Sequence, residues 1–105
     1  MIHVVAIIKT KPGKRDTVLE AFVNNMPAVH DERGCIEYRP VIDANNAVPF
    51  QTEIGPDTFI VIEKWQTIAD LSAHAKSAHM ADYADRVKAL IADRVVHVLN
   101  DYVDR

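Results

Sequence analysis

One hundred and five residues suit one domain, spanning 1–105, with a single core. Twelve Lys plus Arg against fifteen Asp plus Glu give a formal charge of −3, which offers no electrostatic reason to expect nucleic acid or an anionic membrane as partner. A hydrophobic content of 49% with 26% charged residues excludes a disordered chain, and apolar runs such as Val4–Ile8 are too short to span a bilayer.

The N-terminus, Met1-Ile2-His3-Val4, has no basic region and no small-residue cleavage site, so no signal peptide is expected. The lone Cys35 cannot form an intrachain disulfide, and a cytoplasmic location is expected.

Ile2–Ile8 is short, apolar and rich in β-branched residues, which predicts a strand buried on both faces. Lys11-Pro12-Gly13 stops it. Val18, Leu19, Phe22, Val23 and Met26 then fall within an arc of roughly 140° at helical spacing, opposite Glu20 and Asn24. Pro27 is expected to interrupt this helix or to start a second short one, and Gly34 ends the segment. Cys35–Ile42 reads as an edge strand, because Pro40 cannot donate to a ladder. Residues 44–57 carry Asn, Pro and Gly and form a long loop, of a length that favours a lid or contact role.

Thr58–Trp65 is the second strong strand, followed by a helix from about Thr67 to Lys76. Ser77 reads as a new N-cap opening a helix with Met80, Tyr83, Val87, Leu90 and Ile91 on one stripe. Val95–Tyr102 is expected as the last strand. The order βαββαβ predicts an α+β, ferredoxin-like antiparallel sheet with helices on one face. Both faces of the first and third strands are apolar: Phe59, Val61, Glu63 and Trp65 lie on one side of the third, Ile60, Ile62 and Lys64 on the other. Helices cover only one face, so the other predicts a homodimer packed sheet against sheet.

The densest polar cluster is Glu63-Lys64-Trp65 followed by Leu71 to Met80. A carboxylate among Phe59, Val61 and Trp65 is costly to bury unless paired, so Glu63 is either a satisfied structural group or a functional one. Trp65 reads as core or as the wall of an aromatic site. His74 falls on the inward side of its helix, near Leu71; it is a core histidine or an imidazole able to take a proton from a phenol. His79, just past the Ser77 cap, could line the same cavity from across the helix break. On one unbroken helix these two histidines would stand about 140° apart, and with no clear third or fourth ligand no metal is expected. His3, His30 and His97 show no spacing signature, and Asp82, Asp85, Arg86, Lys88 and Asp93 read as the solvated face of the last helix. No nucleophile elbow, phosphate loop or dinucleotide fingerprint is present, so no nucleotide or flavin is expected.

Lys11-Pro12-Gly13-Lys14 after the first strand, Gly34-Cys35-Ile36-Glu37-Tyr38, Glu63-Lys64-Trp65 and the run Leu71-Ser72-Ala73-His74-Ala75-Lys76-Ser77-Ala78-His79 together resemble the antibiotic biosynthesis monooxygenase family, in its quinol monooxygenase-like branch. The resemblance implies a ferredoxin-like subunit in a dimeric α/β barrel. In the haem-degrading branch an Asn, an iron-ligating His and a Trp would align with Ala6, near Ala84 and near His74, so haem degradation is not implied. What the resemblance implies is a cofactor-independent monooxygenase acting on a quinol, phenol or anthrone-like aromatic and O₂. His74 would be the base, His79 or Glu63 the hydrogen-bonding partner of substrate or peroxide, and Phe22, Trp65 and Tyr83 the pocket walls. The alternatives are a cofactor-free isomerase of a small carbonyl or sugar phosphate, and a non-catalytic dimeric binding protein for small molecules.

Overall fold

The computed structural model describes residues 1–45 and 47–103. Asn46, inside the expected 44–57 loop, and residues 104 and 105 lie outside the described residues. The elements run β1 (Ile2–Thr10), α1 (Arg15–His30), β2 (Cys35–Val41), β3 (Thr58–Trp65), α2 (Ile68–Ala75), α3 (Ala78–Val87), a 3₁₀ turn (Lys88–Leu90) and β4 (Ile91–Asn100). The strands form one antiparallel sheet in the order β2-β3-β1-β4, the ferredoxin-like arrangement expected.

The alternation read in β1 and β3 decides which face meets the helices. Val4, Ala6 and Ile8 point into the core beside Phe59, Val61 and Trp65, and α1 covers them with Val18, Phe22 and Val29. The end of β1 is fastened to the turn before β3: Thr10 N–H and Thr10 Oγ1 both donate to Asp57 O, at 2.8 and 2.9 Å. Gly13, at φ 76° in the turn between β1 and α1, adds a third tie: its N–H donates to Asp57 Oδ1 at 2.9 Å.

Three sequence expectations are corrected. Pro27 does not divide α1, because Asp31 N–H still donates to Pro27 O and the helix runs on to His30. The last strand starts at Ile91 rather than Val95: Leu90 and Ile91 continue the apolar stripe of α3, but the chain has already left the helix through the 3₁₀ turn. Asp93 therefore pairs with Lys9 on β4 instead of sitting on a helix.

Among the described residues no element covers the outward face of the sheet. Val41, Ile60, Ile7 and Val95 stand side by side across all four strands, followed by Arg39, Ile62, Val5 and His97. Beyond β2, the long connection is stapled by its own side chains. Asp43 accepts from the N–H groups of Ile54 and Gly55, each at 2.9 Å, and Gln51 Nε2 donates to Ala44 O at 2.8 Å. The staple presents Phe50 to solvent, 84% exposed.

Candidate active site

A cavity of about 700 Å³ lies between the helices and the sheet. Cross-strand rows build its floor: Glu63, Val4 and Val98, then Val61, Ala6 and Val96, then Ile8 and Arg94. Ala6 is the small residue at the centre. The roof comes from Phe22 on α1, Leu71, His74 and Ala75 on α2, and Met80, Ala81, Tyr83, Ala84 and Val87 on α3. Three alanines in that roof leave the space open. Val96 and Val98 on β4 are exposed, so the cavity opens on that side.

The break between α2 and α3 positions the histidines. Thr67 caps α2 by accepting from Asp70 N–H. Ser77 donates to His74 O at 2.8 Å and accepts from Met80 N–H, closing one helix and opening the next. This turns His74 and His79 toward one carboxylate, that of Glu32, in the turn after α1. His74 Nδ1 lies 2.9 Å from Glu32 Oε2 and 3.2 Å from Oε1, and His79 Nε2 lies 2.8 Å from Oε2. An ionised carboxylate only accepts, so the nitrogen facing it carries the proton. With Nδ1–H donated to Glu32, a neutral His74 has its lone pair on Nε2. Among the described residues Nε2 has no protein partner, yet it is not among the atoms sealed from solvent; the cavity that His74 lines is the space it reaches.

Glu63 stands across the floor from Val4. Its Oε1 accepts from Trp65 Nε1–H at 2.9 Å, and the other oxygen is neither bonded nor sealed among the described residues. Burial pushes the Glu63 carboxyl above the usual range, opposed by the Trp65 hydrogen bond and by the charges of His74 and Arg94. Burial also raises the Tyr38 hydroxyl and pushes Tyr83 up to about 12, so both remain neutral donors at working pH. Rings run along one wall: Phe22 stacks on Tyr38 at 4.9 Å, meets Tyr83 edge-on at 5.9 Å, and Tyr38 meets His74 at 5.4 Å.

Of the residues predicted from sequence, His74, Glu63, Phe22 and Tyr83 line this cavity. Trp65 and His79 do not. Trp65 is wholly buried, and its ring packs 4.6 Å from His74 while its N–H is spent on Glu63; it supports both groups without lining the cavity wall. His79 has turned to Glu32. Nor does any described residue of the 44–57 loop line the cavity. Glu32 and Arg94 were missed. Glu32 sits in a polar Asp-Glu-Arg-Gly turn that reads as solvated, and Arg94 fell outside any predicted element. Among the described residues no group of three or more His, Cys, Asp or Glu is arranged to hold a metal ion.

A family model for antibiotic biosynthesis monooxygenase matches residues 1–86, most of the chain. The chain belongs to the antibiotic biosynthesis monooxygenase family. Within this family it is 38% identical over 101 residues to "Probable quinol monooxygenase YgiN" of Escherichia coli K12, a match covering 94% of this chain and 96% of that protein. Among solved structures it resembles a "Putative antibiotic biosynthesis monooxygenase" from Nitrosomonas europaea, with TM-score 0.82 and 21% identity over 98% of this chain and 100% of the other. A conserved protein from Methanosarcina mazei Go1 superposes with TM-score 0.80 at 19% identity, over 95% and 91% of the two chains. These two likenesses show the fold of the family. No helix among the described residues is long and apolar enough to cross a membrane.

Proposed function

We propose that this chain, as one domain, is a cofactor-independent monooxygenase that oxidises a quinol, phenol or anthrone-like aromatic with O₂. The observation that carries the reading is the His74 imidazole, oriented by Glu32 and turned toward a ring-walled cavity large enough for an aromatic molecule. His74 Nε2 takes the hydroxyl proton, and the resulting anion is electron-rich enough to pass an electron to O₂. Recombination forms a carbon–oxygen bond and a peroxide on the substrate. For a hydroquinone the products are a hydroxyquinone and water: one oxygen atom enters the ring, the other leaves as water, and the substrate supplies all the electrons. Glu63, whose neutral form burial favours, donates a hydrogen bond to the peroxide. His79 acts through Glu32, as a positioning residue. The apolar walls orient the ring and exclude water.

A second copy covers the bare outer face of the sheet in this reading. The apolar row Val41, Ile60, Ile7 and Val95 is self-complementary under a two-fold axis, and the charged Glu37, Arg39 and Lys64 border it. The setting is the reducing cytoplasm, which suits a chain whose single thiol, Cys35, is partly buried.

Oxygen uptake by metal-stripped protein, read against a panel of hydroquinones, naphthohydroquinones and anthrones, tests the activity. Uptake above the spontaneous rate is expected with at least one member, falling roughly 10²–10⁴-fold in His74→Ala. Uptake with none of them, or a fall below about tenfold in the variant, overturns the assignment of His74 as the base of an oxygenase.

A further inference from the structure

The cavity has a second polar end that the proton-transfer chemistry does not use. Arg94 lines it from β4, beside Ile8, on the open side. Glu63 lies opposite Val4, so the backbone positions of the two residues are offset by four residues along β1, about 13 Å of strand. Between them the floor is Val4, Val61, Ala6 and Val96, with no polar side chain. Among the described residues Arg94 makes no ion pair or side-chain hydrogen bond, although its charge is felt at both Glu63 and Tyr83. The other cation at the rim, Lys88, is already engaged by Asp85 at 3.2 Å.

We propose that Arg94 is an anion-binding end of this cavity and that the aromatic substrate carries a carboxylate distal to its reacting hydroxyl. The proposal rests on the oxygenase reading for the word substrate, but the binding it describes does not. A guanidinium presents a planar fork that matches a carboxylate with two parallel hydrogen bonds. A phosphate ester would bring a second negative charge that one guanidinium leaves unpaired, whereas a carboxylate matches it one to one. The apolar floor then takes the ring system, with the hydroxyl at His74 and Glu63 and the acid at Arg94. In this orientation the substrate's charge lies away from the Glu63 carboxyl.

Isothermal calorimetry under strictly anaerobic conditions, where no oxidation can follow binding, tests this with two probes: 6-hydroxy-2-naphthoate, with its hydroxyl and acid at opposite ends, and 2-naphthol, which lacks the acid. The wild-type protein is expected to bind the acid about five- to tenfold more tightly, a modest factor because Arg94 is solvent-exposed, and the preference should weaken as salt is raised. In Arg94→Gln the ratio of the two affinities should fall to about one, while Lys88→Gln should keep the preference. A wild-type ratio near one, a ratio that survives Arg94→Gln, or a ratio lost in Lys88→Gln instead overturns the proposal. Oxygen uptake with an uncharged naphthohydroquinone is measured alongside. Its absence with the binding preference intact removes the oxygenase reading and leaves the anion site; a missing preference with uptake intact does the reverse.

Discussion

Glu32 and His74 are 42 residues apart in the chain and meet side chain to side chain, Nδ1 to Oε2 at 2.9 Å, both largely removed from water. The same oxygen accepts from His79 at 2.8 Å. One carboxylate thus fixes the ring of the cavity histidine and ties the turn after α1 to both sides of the α2–α3 break.

In the proposed reaction, Glu32→Gln should therefore damage catalysis while leaving His74, the proposed base, in place. The amide oxygen can take the place of Oε2 and still accept from both imidazoles, but it carries no charge, and the amide NH₂ then stands at the Oε1 position, 3.2 Å from His74 Nδ1, as a donor facing a donor, so the His74 ring is held less firmly. Turnover is expected to fall roughly ten- to a hundredfold, short of the 10²–10⁴ expected for losing the base. A structural role alone would lower the melting temperature and leave turnover per folded molecule unchanged. A positioning role should lower kcat with little change in KM, because the substrate still binds while the ring of the base is no longer held toward it. A full kcat per folded molecule in the variant would remove Glu32 from the proton-transfer machinery.

Glu63 gives a pH dependence of stability with a definite sign. Burial raises its carboxyl in the folded chain, so the folded state holds that proton more tightly than the unfolded one. The stabilising contribution is complete below the unfolded value, near 4.3, and is lost as pH rises through the raised folded value. Glu63→Gln keeps an oxygen to accept from Trp65 Nε1–H and removes the charge. The variant should melt a few degrees above wild type at neutral pH, and the gap should close on acidification toward pH 4. Thermal melts across that range read it directly. A variant that melts lower at neutral pH would mean that the charged form is the one the fold favours.

How far the site can be read from sequence depends on the range of the interactions that make it. β1 and β3 are legible because each alternates across two apolar faces, and Ser77 marks the helix break because a hydroxyl before a helical stripe is a local signal. That break, with Leu71 and Met80 on the inward stripes, also brings His74 to the cavity. β4 is legible only in part: Leu90 and Ile91 satisfy a helical stripe and a strand equally well, and only pairing with Thr10 places Ile91 in the sheet. Glu32 leaves no trace, since a glutamate in a polar turn has the same local pattern whether it faces water or two imidazoles. Trp65 reads equally as core or as a wall from sequence, because nothing local shows that its N–H is spent on the residue two before it.

Gly34 holds the turn that carries Glu32, and two independent constraints keep it glycine. Its φ is +78°, and an added Cβ would overlap the carboxylate of Asp70 at the start of α2. Its carbonyl also accepts from Gln66 N–H at 2.8 Å, joining the turn to the end of β3. Gly34→Ala should cost about 1–3 kcal/mol from the backbone conformation, and more from moving Asp70, which Thr67 binds at 2.9 Å. Chemical denaturation measures the loss. Turnover per folded molecule should fall as well, because displacing the turn moves Glu32 away from His74. A variant as stable as wild type would show that this turn has another conformation open to it.

Ala6 separates the cavity from the core as sources of stability. It sits at the centre of the floor between Val61 and Val96, where a larger side chain enters open space instead of a packed interior. Ala6→Leu adds apolar atoms against Phe22 and Val87 in the roof, each buried methylene contributing about 0.8 kcal/mol where it finds contact. The melting temperature should hold or rise slightly. Compare Phe59→Ala on the same face, which empties a wholly buried site and should cost about 3–5 kcal/mol. With the space filled, an aromatic ring can no longer lie along the floor between Glu63 and Arg94, so substrate turnover should drop at least about tenfold, chiefly through KM. Steady-state kinetics on any substrate that passes the oxygen-uptake panel decides the matter. Full turnover by a stable Ala6→Leu protein would mean that the chemistry takes place outside this cavity.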